Sequence, residues 1–249
     1  MGTVIEASSV FKRYGSREAT VLDGVDLVVE RGEFVTIMGS SGAGKSTFLY
    51  CLSGVDQPTS GRVVLDGTRI DGLGERSLTA VRRRVGFVFQ QINLLPHLSL
   101  RENVALPGLN SRRVSDRRRA LRRADELLAK VGLADVMGSP PSQASGGEQQ
   151  RAAIARALLT DPVVLFADEP TGALHSSAGR TVLDLLEQAN AEGQTTVMVT
   201  HDPRAAARGD RVIYLRDGRI VAQLDAGARD VPLADREAKV ARWLQEMGW

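Results

Sequence analysis

The chain contains 249 residues, of which 43% are hydrophobic and 25% are charged, values that are ordinary for a globular protein with a sizeable core. Its formal net charge of only +2 argues against a dedicated nucleic-acid-binding surface, so we expect no nucleic-acid partner. The single cysteine, Cys51, excludes an intrachain disulfide and is typical of a core thiol.

Membrane-crossing segments are not expected from the hydropathy pattern. The apolar runs, such as Phe34–Met38 and Val163–Ala167, are far shorter than the roughly 18 residues that a transmembrane helix needs. The beginning of the sequence lacks the charged and then apolar pattern of a signal peptide. We therefore expect a soluble, cytoplasmic chain that acts on a membrane only through a partner.

Short apolar runs between turn residues predict a series of strands. In chain order these are Thr3–Ser8, Asp26–Glu30, Phe34–Met38, a strand and turn over 61–67, Val85–Phe89, Val163–Ala167 and Thr195–Thr200. A turn is predicted at 22–24. A closing hairpin is predicted to pair Arg211–Leu215 with Arg219–Gln223 around Asp217-Gly218.

Helical patterns lie between these strands. They cover about Lys45–Leu52, about Gln91–Gly138 with the clearest apolar spacing over Arg117–Val131, Ser145–Leu159, and an amphipathic stretch near Ala234–Met247 in the tail. Buried strands that alternate with helices predict an α/β fold with a parallel central sheet.

A phosphate-binding loop is predicted between the third strand and the first helix. Its sequence, GSSGAGKS over 39–46, matches the pattern G-x-x-x-x-G-K-[ST]. Glycines let backbone N–H groups curl around an anion, and the helix start adds its positive end. Lys45 is expected to reach the β- and γ-phosphates and Ser46 to ligate Mg²⁺. The bland alternative is a glycine turn before a helix. The predicted nucleotide contacts are Gly39, Ser40, Ser41, Gly42, Ala43, Gly44, Lys45, Ser46 and Thr47.

Two acidic residues, Asp168 and Glu169, end the strand that begins at Val163. A carboxylate at the carboxyl end of a buried strand lies beside the phosphate loop in sheets of this kind. Asp168 is expected to hold Mg²⁺, and Glu169 to polarise the attacking water. The alternative is an acidic turn that only terminates the strand.

A second anion site is predicted at the start of the helix that follows Ala144. Ser145 and Glu148 have the spacing of a capping box, and Gly146 and Gly147 leave backbone N–H groups bare. One nucleotide does not need two such sites on one subunit, so we expect this site to face the nucleotide of another copy. The alternative is a well-capped helix without a ligand.

With these three motifs the chain resembles the nucleotide-binding subunits of ABC transporters over about residues 4–223. The resemblance implies a P-loop NTPase fold, an α/β architecture with a RecA-like core, an antiparallel β subdomain and a helical signature subdomain. The resemblance implies a single domain. The β subdomain and phosphate loop lie at about 1–90, the helical subdomain at about 91–145, the rest of the core at about 146–223 and a C-terminal tail at 224–249. SGGEQQR over 145–151 is then the family signature, which closes over the ATP of the opposite subunit.

Further positions take roles from this resemblance. Tyr14 matches the aromatic that stacks on adenine, although alone a strand-packing tyrosine is favoured. Gln90 matches the glutamine that contacts Mg²⁺ and water and links to the membrane subunit. His201 matches the histidine at the γ-phosphate, although alone it is more often a strand-end residue without a role. Gly172–Leu174 matches the loop that crosses the dimer interface.

Two residues depart from the family pattern. Ala144 stands where the signature usually opens with leucine. His175 stands where the interface loop usually ends in aspartate, and this puts cross-interface hydrogen bonding in doubt. Neither departure touches Lys45, Asp168 or Glu169.

The resemblance implies an ATPase that uses ATP and Mg²⁺, pairs with a second copy and powers separate transmembrane permease subunits from the inner face of the membrane. Segments such as FQQINLLPHLSLRENVALP over 89–107 are similar to the exporter branch for macrolide efflux, lipoprotein release and bacitracin resistance. One alternative is an ABC ATPase acting on nucleic acid or ribosomes, which predicts a second cassette, a coiled coil or a zinc insertion. Another is a division-associated ATPase without transport. The basic run 112–123 is either a lipid-facing patch or a solvated helix face.

Overall fold

Two β-sheets and a group of helices form the framework of the computed structural model. The structure describes residues 2–15, 19–109, 113–227 and 230–249. The strands are β1 (Thr3–Tyr14), β2 (Ala19–Glu30), β3 (Phe34–Met38), β4 (Ser60–Leu65), β5 (Thr68–Arg69), β6 (Val85–Val88), β7 (Val164–Asp168), β8 (Thr196–Val199), β9 (Arg211–Arg216) and β10 (Arg219–Asp225). The helices are α1 (Lys45–Ser53), α2 (Glu75–Arg82), α3 (Leu100–Leu109), α4 (Val114–Lys130), α5 (Gly146–Leu158), α6 (Ser176–Ala191), α7 (Pro203–Ala206) and α8 (Leu233–Glu246).

The larger sheet has the strand order β10-β9-β3-β8-β7-β6. From β9 to β6 all neighbours are parallel, and only β10 pairs antiparallel, in the predicted closing hairpin. Every residue of β3, β7 and β8 is buried, which explains why these strands read as continuous apolar runs. The predicted α/β fold with a parallel central sheet is confirmed. The carboxyl ends of β3, β7 and β8 meet at one edge, where functional residues gather.

The smaller sheet is antiparallel and has the order β2-β1-β4-β5. Both β1 and β2 run for 12 residues, longer than the strands predicted from the sequence. The predicted turn at 22–24 is wrong, because the pairing of β1 with β2 continues through it with a shift in register. Gly24 takes a φ of +70° at this irregularity. The residues that resemble a turn in the sequence therefore form a bulge inside a strand.

Helix α1 contacts both sheets and joins their cores. Phe48, Leu49 and Leu52 are fully buried in one apolar cluster with residues of β1, β2, β3 and β4. Cys51 belongs to the same cluster, as the sequence predicted for a core thiol. The phosphate loop is thereby held between the two sheets.

Helices α3, α4 and α5 form a second apolar cluster beside the central sheet. Its members include Leu100, Val104, Ala124, Leu128 and Ala152. The predicted helical region of about Gln91–Gly138 contains α3 and α4, whereas residues 91–99 are not helical. Arg113–Arg123 of the basic run fall on α4 and its start, and Arg112 lies outside the described residues.

Helix α8 packs against the outer face of β9. Val240 and Leu244 are buried beside Tyr214, and Trp243 meets the Tyr214 ring edge-on at 6.2 Å. Arg236 is 2% exposed, and its guanidinium donates to the Gly209 carbonyl. The predicted amphipathic tail is therefore a helix docked on the core. Across the ranges that the structure describes, no helix combines the length and apolar character that membrane crossing requires.

Candidate functional site

The phosphate loop lies between the end of β3 and the start of α1. Gly44 precedes α1 with a φ of +98°. A Cβ atom there would lie 2.7 Å from the Val21 carbonyl oxygen and 3.1 Å from Leu22 Cδ2. The position therefore requires glycine for its left-handed backbone and for the close approach of β2. This geometry turns the loop sharply into the helix and leaves the first N–H groups of α1 facing outward.

Lys45 lies inside the curve of this loop. Its Nζ donates hydrogen bonds to the carbonyl oxygens of Gly39 at 2.7 Å and Ser40 at 3.0 Å. Burial lowers the pKa of Lys45, while the nearby carboxylates of Glu169 and Asp168 act in the opposite direction. The Lys45 cation, together with backbone N–H groups at the start of α1, is suited to an anion with several oxygens.

Asp168 ends β7 and is only 1% exposed. Ser46 Oγ donates to its Oδ1 at 2.8 Å, and the Tyr50 hydroxyl donates to its Oδ2 at 2.8 Å. The predicted proximity of Asp168 to the phosphate loop is confirmed. Tyr50 was missed by the sequence reasoning, although its position one helical turn after Ser46 places both side chains on the same face of α1.

Glu169 and His201 meet across neighbouring strand ends. His201 Nδ1 lies 2.8 Å from Glu169 Oε2. The Glu169 side chain is 11% exposed and that of His201 is 64% exposed, so the carboxylate faces the interior and the imidazole the solvent. Glu169 has a φ of +47°, which is uncommon for a non-glycine residue, and its N–H donates to the Val199 carbonyl at 3.0 Å. The strained backbone marks Glu169 as a functional candidate.

These groups border one open cavity of about 430 Å³, which we call the central cavity. Its lining residues are Val21, Ser41, Gly42, Gly44, Lys45, Ser46, Thr47, Gln90, Glu169 and His201. Gln90 reaches it from just beyond β6 with an exposed side chain. The structure therefore brings six of the nine predicted phosphate contacts together with Gln90, Glu169 and His201, whereas Gly39, Ser40 and Ala43 do not line the cavity.

Three oxygen donors at or directly behind this cavity fit Mg²⁺. Ser46 and Gln90 line the cavity with a hydroxyl and an amide, and the carboxylate of Asp168, which is not among the lining residues, is held by Ser46. These are the hard ligands that Mg²⁺ prefers. Within the described ranges, no group of three or more His, Cys, Asp or Glu residues is placed to hold a metal. Mg²⁺ is ordinarily held by one or two carboxylates together with substrate phosphates, so this sparse set suits a nucleotide-bound ion.

Tyr14 does not share the lining of the central cavity. Its hydroxyl donates to Asp56 Oδ2 at 2.6 Å, and Lys12 Nζ lies 4.7 Å from the ring centroid. Burial and the bond to Asp56 raise the pKa of Tyr14 to about 12. The side chain is 45% exposed, so part of the ring is open to a ligand. Its stacking on adenine stays a prediction.

The signature residues lie apart from the central cavity, at the start of α5. Ser145 and Glu148 form the predicted capping box, with the Glu148 N–H donating to Ser145 Oγ at 3.3 Å and the Ser145 N–H donating to Glu148 Oε2 at 2.7 Å. A Cβ at Gly147 would lie 3.0 Å from Ala178 Cβ, so this glycine also permits the approach of α6. A Cβ at Gly146 would meet only an ordinary contact at 3.7 Å.

The two departures from the expected pattern have different surroundings. Ala144 packs partly buried against the apolar cluster of α3, α4 and α5. His175 is exposed and occupies the N-cap position of α6. Within this described turn, the His175 side chain makes no capping hydrogen bond. The sequence reasoning missed α6 itself, and therefore missed that His175 begins a helix.

Comparisons with known proteins agree with this geometry. The model of the family described as "ABC transporter" matches residues 22–172. A macrolide export ATP-binding/permease protein MacB of Paracoccus denitrificans is 48% identical over 235 residues, covering 93% of this chain but 34% of that protein. The chain thus spans about a third of the length of this relative. The ABC transporter ATP-binding protein YknY of Bacillus subtilis is 45% identical, covering 92% of this chain and 99% of that protein.

Solved structures give the same result. The dimeric ATP-binding cassette MJ0796 in a post-hydrolysis state with ADP and Pi is 40% identical, with a TM-score of 0.81, and covers 90% of this chain and 99% of that one. Cassette cbiO1 of Clostridium perfringens is 28% identical with a TM-score of 0.83 over the full chain. The resemblance drawn from the phosphate loop, the acidic pair and the signature is confirmed. With its cassette fold and its converging phosphate loop, carboxylates and histidine, this chain belongs to the ABC transporter family as an ABC ATPase.

Proposed function

We propose that this chain is the ATP-binding and hydrolysing subunit of a membrane transport machine and that it works as a dimer. The observation that carries the proposal is the central cavity, where the phosphate loop, Gln90 and the Glu169–His201 pair converge. ATP and Mg²⁺ are the proposed ligands.

Different groups at the cavity would bind the phosphates, hold the metal ion and orient the attacking water. The N–H groups of the phosphate loop and Lys45 bind the phosphates of ATP. Ser46, Asp168 and Gln90 would hold Mg²⁺, which neutralises charge on the phosphates when bound. Glu169 orients a water molecule whose oxygen forms a bond to the γ-phosphorus while the bond to the β-phosphate oxygen breaks, giving ADP and phosphate. His201 holds the Glu169 carboxylate through Nδ1 and is close enough to the cavity to contact the γ-phosphate.

The signature would act on the nucleotide of a second copy. Ser145, Gly146 and Gly147 do not line the cavity of their own chain, yet Ser145 is exposed at a helix start with its cap formed. The dimeric state of the MJ0796 cassette supports pairing of this kind. We infer that two copies sandwich ATP between the phosphate loop of one and the signature of the other.

A membrane permease is the proposed partner, and a groove of about 540 Å³ beside β6 is its proposed docking site. Phe87, Phe89, Asn93, Pro107 and Arg156 are among the residues that line this aromatic groove. Phe89 lines the groove, and the next residue, Gln90, lines the central cavity. A movement of the groove would therefore reach the cavity through one peptide unit. The MacB relatives are named ATP-binding/permease proteins, which supports a permease as the partner. We propose separate permease subunits and a cytoplasmic location at the membrane surface.

The experiment compares ATP binding by Lys45→Ala and Ser145→Arg in the isolated subunit, with Glu246→Gln on the exposed face of α8 as the control. Lys45→Ala should lose most ATP binding because it removes a cation from the phosphate site. Ser145→Arg should bind ATP like the wild type but fail to form an ATP-dependent dimer. Loss of monomeric ATP binding in Ser145→Arg would contradict the action of the signature on the partner's nucleotide.

A further inference from the structure

Tyr50 reaches the metal-site carboxylate from α1, outside the lining of the central cavity. The Tyr50 hydroxyl donates to Asp168 Oδ2 at 2.8 Å, while Ser46 donates to Oδ1 at 2.8 Å. Two hydroxyls on successive turns of α1 therefore hold both oxygens of one buried carboxylate. Without Tyr50, Oδ2 would lose a donor at a site where Asp168 is almost excluded from solvent.

The hydroxyl of Tyr50 is the group that acts on Asp168, because it donates to Oδ2 at 2.8 Å. Packing alone would be served equally well by phenylalanine, so the hydroxyl is the informative group.

The ring of Tyr50 continues into an aromatic cluster. Its centroid lies 5.7 Å from that of Phe87, and Phe87 lies 4.2 Å from Phe89 and 6.1 Å from Phe166. Contacts at these distances fix the relative positions of the rings. Phe87 and Phe89 also line the aromatic groove. Unbroken side-chain contacts therefore run from that groove to Asp168.

We propose that Tyr50 is a positioning residue that fixes the Asp168 carboxylate for the Mg²⁺–nucleotide complex and ties that position, through Phe87, to the aromatic groove. The inference rests on the proposed function and adds to it a residue outside the lining of the central cavity. Mutation of a residue that orients a metal ligand commonly weakens metal binding by about tenfold or more.

The test is Mg²⁺-dependent binding of a non-hydrolysable ATP analogue, which needs no turnover. In Tyr50→Phe the Mg²⁺ concentration at half-saturation should rise about tenfold, while binding of the analogue without Mg²⁺ stays unchanged. Tyr214→Phe removes the hydroxyl of a tyrosine that packs under α8 and should match the wild type. Phe87→Leu keeps apolar volume but loses the ring, and should give a smaller rise in the same direction.

The outcomes separate the parts of the inference. Superimposable Mg²⁺ titrations for Tyr50→Phe and the wild type would overturn the role of Tyr50, as would equal weakening with and without Mg²⁺. A wild-type titration for Phe87→Leu would overturn the link to the groove. Failure of the wild-type protein to bind the analogue would instead overturn the proposed function.

Discussion

His175 gives a prediction that depends on a helix the sequence did not reveal. It occupies the N-cap of α6 with φ −63° and ψ 153°, and its imidazole makes no capping bond within this described turn. The His175 carbonyl already accepts the Gly179 N–H at 2.9 Å, so the backbone is in place for a cap. His175→Asp adds a carboxylate that can accept from the N–H groups of the first turn and complement the helix dipole.

The expected gain is about 1 kcal/mol in the free energy of unfolding, the usual effect of adding an N-cap side chain at an exposed helix start. With a urea m-value of about 3 kcal/mol/M, this moves the midpoint by about 0.3 M. His175→Asn supplies a cap without charge and should give most of this shift. Equilibrium urea unfolding followed by circular dichroism measures both. Unchanged midpoints in both variants would refute the capping argument.

The remaining predictions concern the interface, the core and the buried thiol. His175→Asp should also raise ATPase activity of the assembled complex, because the carboxylate restores the hydrogen-bond acceptor that the family pattern has at this position of the interface loop; equal activity of the variant and the wild type would make His175 passive. Leu244→Ala should lower the free energy of unfolding by about 2–5 kcal/mol, because Leu244 is 1% exposed between α8 and β9. A change below about 0.5 kcal/mol in urea unfolding would contradict the docking of α8. Burial raises the pKa of the Cys51 thiol from 9.0 to about 12. A thiol reagent at about pH 8 should therefore react with Cys51 only after unfolding, and rapid labelling of the native protein would contradict this. The free energy of unfolding should fall as the pH rises above about 9, because the unfolded chain there loses a proton that the folded chain keeps.

Much of the site was predictable because its residues sit at chemically defined positions. A glycine-rich loop between a buried strand and a helix identifies Lys45 and Ser46, and a strand-end carboxylate identifies Asp168. The capping-box spacing of Ser145 and Glu148 likewise specifies a helix start, which the structure contains.

Other features depend on tertiary contacts that no local pattern contains. Asp23-Gly24 has the composition of a turn, yet the pairing of β1 with β2 makes it a bulge. Helix α6 is a different case, because Val182, Leu186 and Ala189 do have helical spacing, but His175 gives no cap signal at the helix start. Tyr50 carries no motif of its own, and only the fold brings its hydroxyl to Asp168.

Glu169→Gln tests the central claim, that the cavity hydrolyses ATP with Glu169 orienting water. The amide keeps the size of the side chain and removes the carboxylate. ATP turnover and ATP-dependent dimerisation should be measured together by phosphate release and size-exclusion chromatography, with Glu246→Gln as the control. Glu169→Gln should bind ATP, lose turnover and accumulate as an ATP-bound dimer, whereas near wild-type turnover in this variant would contradict a role of Glu169 in orienting water.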